Sequence, residues 1–239
     1  FELSQSYLAF WDKFERCNYF LESILKTADL PTNDRTVMHI LSTGVHDGGQ
    51  WDMFANIVRK YGVVPKDVYD ETYQSSNTRP MNAQLNRALK VAAAGLRRMV
   101  ADKADADAIQ AEKNKTLNAI YGFLCSCYGE PPKAFDFEFV DKDQVYHIEK
   151  NLTPLTFAER YVGDLLDQVV SVINAPTADK PYHRTYTIRL LGNVVEGRPV
   201  VHLNLTMDEF KAAIIAQLKA GKVVWFGSDV GHFGERMLG

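Results

Sequence analysis

An α+β fold with a long, mainly helical middle is what this sequence predicts, on three grounds. Apolar residues recur at three- and four-residue steps over most of the stretch from the N-terminus to Leu124, the spacing of helices packed by one face. The stretch 135-FDFEFVD-141 then alternates apolar and polar side chains, which is the period of a strand. Beyond residue 185 the pattern changes again, to β-branched runs around one further helix.

Taken in order, 3-LSQSYLAFWDKFERCNYFLESIL-25 sets Leu3, Tyr7, Phe10, Phe14, Cys17, Phe20, Leu21 and Ile24 on one stripe, with Ser4 as N-cap. Cys17 lies in that stripe and reads as a small buried hydrophobe. Residues 28–37 read as a turn-rich loop, and a helix follows Gly49 and stops at Gly62. Leu85, Leu89, Ala92, Leu96 and Met99 make a second stripe. Ile109, Leu117, Ile120, Tyr121 and Leu124 make a third, antiparallel to it around 103-KADADA-108. Glu130-Pro131-Pro132 breaks the helix before the predicted strand. Residues 156–173 read as helix, 185–205 as two strands joined by a Gly-containing turn, 207–221 as a helix with a Gly cap, and 222–230 as a buried strand.

The chain has 239 residues, 46% of them hydrophobic, and a net charge of −3, which argues against default attraction to nucleic acid. The basic stretch 87-RALKVAAAGLRRM-99 has acidic neighbours and reads as a solvated helix face. No run of about 18 apolar residues suggests a membrane span, and no signal peptide is evident. Three cysteines do not make a disulfide framework, so a reducing, cytoplasmic home is expected. The chain opens on Phe1 and stops at Gly239 without an end signal, so it reads as an internal piece of a longer polypeptide.

Few residues qualify for chemistry. Cys125-Ser126-Cys127 has neither redox nor zinc spacing and lies on a predicted helix. The six histidines form no HExxH, and no metal or cofactor site is expected. His147 reads as solvated in a charged loop; His232 near Asp229 lacks a nucleophile in an elbow setting. Gly48-Gly49 is not a phosphate loop, since both GxGxxG and GxxxxGK[ST] are absent. Two readings stay open for it: a tight turn with close packing, or backbone left bare to pair with an extended ligand.

Five phrases in order carry a resemblance along essentially the whole chain: 3-LSQSYLAFWDKFE-15, 46-HDGGQWDMFANIVRKYGVVPK-66, 129-GEPPKAFDFEFVDKD-143, 191-LGNVVEGRPV-200 and 223-VVWFGSDVG-231. The chain resembles the bacterial aminopeptidase C and bleomycin hydrolase family of papain-like cysteine peptidases. That resemblance implies a partial papain-like α+β fold with a large, mainly helical insertion. It divides the chain into a helical-half segment (1–74), the insertion (75–184) and part of the β-rich half (185–239). Peptides are the implied substrates. Asp47, Gly48, Gly49 and Trp51 would be the substrate-binding residues, with Gly49 the main-chain clamp, Gly48 the turn and Trp51 a wall of the adjoining apolar pocket.

The same resemblance implies a thiolate nucleophile, an oxyanion-hole Gln, and a His oriented by an Asn. No residue of this chain matches those positions, so no catalytic residue is assigned, and the chain by itself is expected to be inactive. Secreted papain-like enzymes carry a disulfide between the positions of His46 and, approximately, Trp11; the loss of both halves fits a reducing compartment. The family's insertion builds hexamers, which makes 75–184 the expected site of subunit contacts. A non-catalytic pseudo-peptidase scaffold and a nucleic-acid-binding module are the competing readings.

Overall fold

The computed structural model describes residues 1–228. Its helices and strands, in chain order, are α1 (Gln5–Lys26), α2 (Arg35–Thr43), α3 (Trp51–Tyr61), α4 (Tyr73–Ser76), α5 (Thr78–Ala101), α6 (Ala106–Tyr128), β1 (Phe135–Val140), β2 (Tyr146–Leu152), α7 (Pro154–Tyr161), β3 (Val172–Ile173), β4 (Thr185–Thr187), β5 (Val201–Asn204) and α8 (Met207–Lys219). Two compact units result. Phe1–Val169 with Thr187–Val201 form the larger; the smaller takes Val170–Tyr186 and resumes at His202.

In the larger unit α1 is the central element, packed against α2, α3, α5 and α6. Ser4 caps it as expected, its side chain accepting from Tyr7 N–H. The predicted stripe is buried: Tyr7, Phe10, Cys17, Leu21 and Ile24 are all at most 2% exposed. The second stripe, Leu85, Leu89 and Leu96 on α5, joins the same core with Ile120 and Leu124 of α6. Arg97 donates to the carbonyls of Thr27 and Leu30, just past the end of α1. Part of the basic stretch on α5 is therefore used inside the fold, where a wholly solvated face had been expected. A second cluster gathers Phe137 of β1, Phe157 and Ala158 of α7, and Ala55 and Val58 of α3.

Several expectations are corrected. The loop read at 28–37 gives way to α2 at Arg35, because Asp34 accepts from Thr36 N–H and caps a helix whose Val37 and Ile40 turn inward. Strand β1 has an antiparallel partner, β2, that the sequence did not suggest, and His147 sits on it rather than in a loop. The His147 imidazole is hydrogen-bonded to Asp141 at 2.7 Å and stacks on Phe139. The helix read over 156–173 spans only Pro154–Tyr161; Gly163 takes φ +57, a short 3-10 turn follows, and Val172–Ile173 form a strand.

In the smaller unit β5 lies between β3 and β4, parallel to β3. Asn204 is fully buried there and bonds Ala175 through both side-chain ends, as well as the Lys180 carbonyl. The two strands expected across 185–205 are short and separated by a long irregular connection. Asn193 lies in that connection, and its side chain takes the Met53 carbonyl in place of ladder bonds. Helix α8 ends with Gly221 at φ +71, as its glycine cap predicts. The strand expected at 222–230 is not formed over 222–228, where Val223 is 91% exposed; a strand needs a backbone partner, and no pairing is present there among the described residues. Asp229 and His232 lie outside the described residues.

Leu89 is fully buried between α1, α5 and α6, so Leu89→Ala should lower stability by about 3 kcal/mol. Chemical denaturation reads it; a change near zero would place α5 outside the core.

Candidate functional site

The site is built where α1 passes beneath the turn that opens α3. Gly48 takes φ +82, a backbone conformation that glycine adopts without strain, and this turns the chain after Asp47. Both glycines are exposed. No hydrogen bond among the described residues engages the main-chain N–H or C=O of Gly49. A Cβ added at Gly49 would lie 2.7 Å from Arg16 Nη2 and 3.5 Å from the Met53 sulfur, whereas one at Gly48 would meet nothing within 4 Å. The two glycines thus serve different needs: Gly48 supplies the backbone angle and Gly49 the clearance.

Buried charges on α1 hold this turn in place. Lys13 Nζ, 3% exposed, donates to Asp47 Oδ1 at 2.5 Å and to the His46 carbonyl at 3.0 Å. Asp47 Oδ2 accepts from Thr78 at 2.7 Å and Asn82 at 3.1 Å, which links the turn to α5. Arg16 Nη2 donates to the Gly48 carbonyl at 2.5 Å, and its Nε to Asp12 at 2.6 Å. Asp12 also accepts from Asn193 at 2.9 Å, whose amide reaches the Met53 carbonyl in α3. Burial alone would raise the Asp47 pKa, but the bonds from Lys13, Thr78 and Asn82, with the Lys13 charge, hold it down to about 2.

The structure therefore brings Asp47, Gly48 and Gly49 together with three residues the sequence reading did not single out, Lys13, Arg16 and Asp12. Charged residues at three- and four-residue spacing inside an otherwise apolar helix were the available signal. Asp47 is an anchor for the turn through four hydrogen bonds within the fold. Trp51 starts α3, half-buried, with its ring tilted against Phe54 at 5.3 Å between centroids.

The cysteines are poor nucleophiles where they stand. Burial, offset only partly by Lys13, pushes the Cys17 thiol up to about 12. Burial also raises Cys127, and raises Cys125 against the lowering effect of its bond with Tyr121. All three are free thiols and lack the stabilised thiolate that covalent catalysis requires. Among the described residues no group of three or more His, Cys, Asp or Glu side chains is arranged to hold a metal.

The whole chain, residues 1–239, matches the model of the peptidase C1-like family. This chain belongs to that family. It is 52% identical over 239 residues to aminopeptidase C of Streptococcus thermophilus, covering all of this chain and 54% of that protein. With aminopeptidase C of Lactobacillus delbrueckii subsp. lactis it shares 49% over the same length, covering 53% of that protein. The crystal structure of PepW from Lactobacillus rhamnosis superposes with a TM-score of 0.95 at 55% identity, over 99% of this chain and 53% of the other. The fold is thus the α+β, papain-like fold of the family, in part, and the chain spans about half the length of the curated relatives it matches. No helix among the described residues is long and apolar enough to cross a membrane.

Because Asp47 is held to about 2 against an ordinary value of 3.8, its ion pair contributes stability that is fully present above about pH 4 and is lost as the pH falls through 2. Melting temperatures of the protein and of Asp47→Asn should differ at pH 5 and converge near pH 2. A gap that stays constant with pH would mean that the carboxylate charge is not what holds the turn.

Proposed function

We propose that this chain is the cleft-bearing part of a cysteine-type aminopeptidase, and that it holds the substrate's backbone at Gly49. One observation carries the reading: Gly49 is exposed, has an uncommitted main-chain N–H and C=O, and is locked in place by Arg16 and Lys13. An extended peptide paired to that backbone would be bound with little demand on its side chains. Gly48 supplies the turn and Trp51 one wall of the adjoining apolar pocket. The names of the relatives, aminopeptidase C, support the activity.

In this reading a thiolate attacks the carbonyl of the peptide bond after the N-terminal residue, and the C–N bond breaks as the shortened peptide leaves with a protonated amine. Water then hydrolyses the thioester to free the N-terminal residue and restore the thiolate. The nucleophilic Cys, oxyanion Gln, His and Asn belong to the further length that the relatives possess. The raised thiols of Cys17, Cys125 and Cys127 support that assignment. Three free thiols also agree with a reducing, cytoplasmic home. Residues 75–184 act as the family's insertion and carry the contacts of a homo-oligomer, a hexamer by the resemblance. In support, α5 and α6 leave between them an open apolar groove edged by Val91, Ile120 and Phe123, with Val91 70% exposed.

Aminoacyl fluorogenic substrates, tested with and without iodoacetamide, decide the main point. The 239-residue chain alone should give no thiol-dependent turnover, whereas a polypeptide of the relatives' length should turn over and be blocked by iodoacetamide. In that longer polypeptide Gly49→Ala should raise KM about tenfold with a smaller effect on kcat, as expected when ground-state and transition-state binding weaken together. An unchanged KM would remove Gly49 as the clamp. Light scattering on the same samples tests the assembly, and a strict monomer of the longer polypeptide would remove the hexamer.

A further inference from the structure

Behind the glycine turn lies a cavity of about 110 Å³ bounded by α1, α2 and the segment 188–192. Its lining includes Arg16, Arg189, His39 and His46, with the hydroxyl-bearing Tyr19 and Ser23, and no carboxylate. We infer that this cavity is a binding site for a small oxyanion, a carboxylate or a phosphate.

The chemistry of the lining is one-sided. Its charged side chains are cations, and beside them stand two histidines and the Tyr19 phenol but no carboxylate, so field lines converge on an anion. The Arg16 guanidinium is buried, with its Nε on Asp12 and its Nη2 on the Gly48 carbonyl. Asp12 balances that charge from outside the cavity. Arg189, by contrast, is exposed at the rim and has no acidic partner among the described residues. Its charge is the one free to meet a ligand. Donors are also in place without partners of their own: neither the Tyr19 hydroxyl nor that of the buried Ser23 makes a hydrogen bond among the described residues. Tyr19 is held by packing, since its ring stands 2.9 Å from where a Cβ on Gly192 would lie.

Size limits the ligand. A cavity of about 110 Å³ has room for one carboxylate or one phosphate group. Position gives the site a consequence. Arg16 faces the cavity and also donates to Gly48, so an anion drawing on that guanidinium is coupled to the turn that presents Gly49. Anion binding in this cavity needs no catalytic residue.

Calorimetric titration of the protein with sodium phosphate and, separately, sodium acetate at fixed ionic strength tests it. Saturable one-to-one binding of either anion is expected, weakened about tenfold by Arg189→Gln, which removes a rim side chain that the core does not need. Tyr19→Phe should weaken it as well, while Lys115→Gln on α6, outside the cavity, should leave it unchanged. Saturation by acetate identifies a carboxylate site, and saturation by phosphate alone a phosphate site. No saturable heat with either anion, an Arg189→Gln affinity equal to that of the unaltered protein, or an equal loss on Lys115→Gln would each overturn the proposal.

Discussion

Three charges buried on one helix are the constraint around which the larger unit is arranged. Lys13, Glu15 and Arg16 occupy a single stretch of α1, and each is almost wholly removed from water. An ion in that setting must find a partner or it opposes folding by several kcal/mol. Lys13 finds Asp47, Arg16 finds Asp12 and the Gly48 carbonyl, and Glu15 finds Lys60 and the Tyr61 hydroxyl at the end of α3. Apart from Asp12, which lies on α1 itself, the partners come from the turn before α3 and from its last residues, so satisfying the three charges positions both ends of α3 at once. Lys60 extends the network to Glu196, and Asp12 extends it through Asn193.

That arrangement explains how an exposed turn stays ordered without covalent help. Secreted papain-like enzymes join the corresponding segments by a disulfide. Here Trp11 instead stacks on Tyr61 at 3.8 Å between centroids, and Lys13 ties α1 to residues 46 and 47. Electrostatic fastening of this kind depends on burial: in water such a pair would contribute at most about 1 kcal/mol. The aromatic cover over α1, with Phe10, Trp11, Phe14 and Tyr121 in edge contacts, keeps the neighbourhood apolar. That rigidity is what the proposed clamp at Gly49 requires, because binding through main-chain N–H and C=O is stronger when those groups are already in place.

The helical middle follows a different logic. Helices α5 and α6 bury Leu85, Leu89, Leu96, Ile120 and Leu124 against α1, while Val91 stays in solvent. One face of this pair belongs to the core, and the other leaves apolar side chains such as Val91 exposed. The β1–β2 hairpin is similar: Phe137 turns inward, and Val140, Tyr146 and Ile148 turn outward, as the two-residue period requires.

By itself the sequence determined the periodic elements, because a helix that buries one face must repeat its apolar residues every three or four positions, whatever surrounds it. The stripes on α1, α5 and α6, the Ser4 cap, the Gly62 and Gly221 stops and the alternation of β1 were legible for that reason. So was the pair Gly48-Gly49 as a place where backbone approaches something. The tertiary structure alone decided what satisfies the buried charges, since Lys13 and Asp47 or Asp12 and Asn193 are joined by no local pattern. It also decided the extent of the short elements: α2 hangs on one Asp34 cap, β2 on its pairing with β1, and residues 222–228 carry strand-like side chains with no strand beside them among the described residues. Local periodicity is a property of the chain, whereas hydrogen-bond and charge partners distant in sequence exist only once the chain has folded.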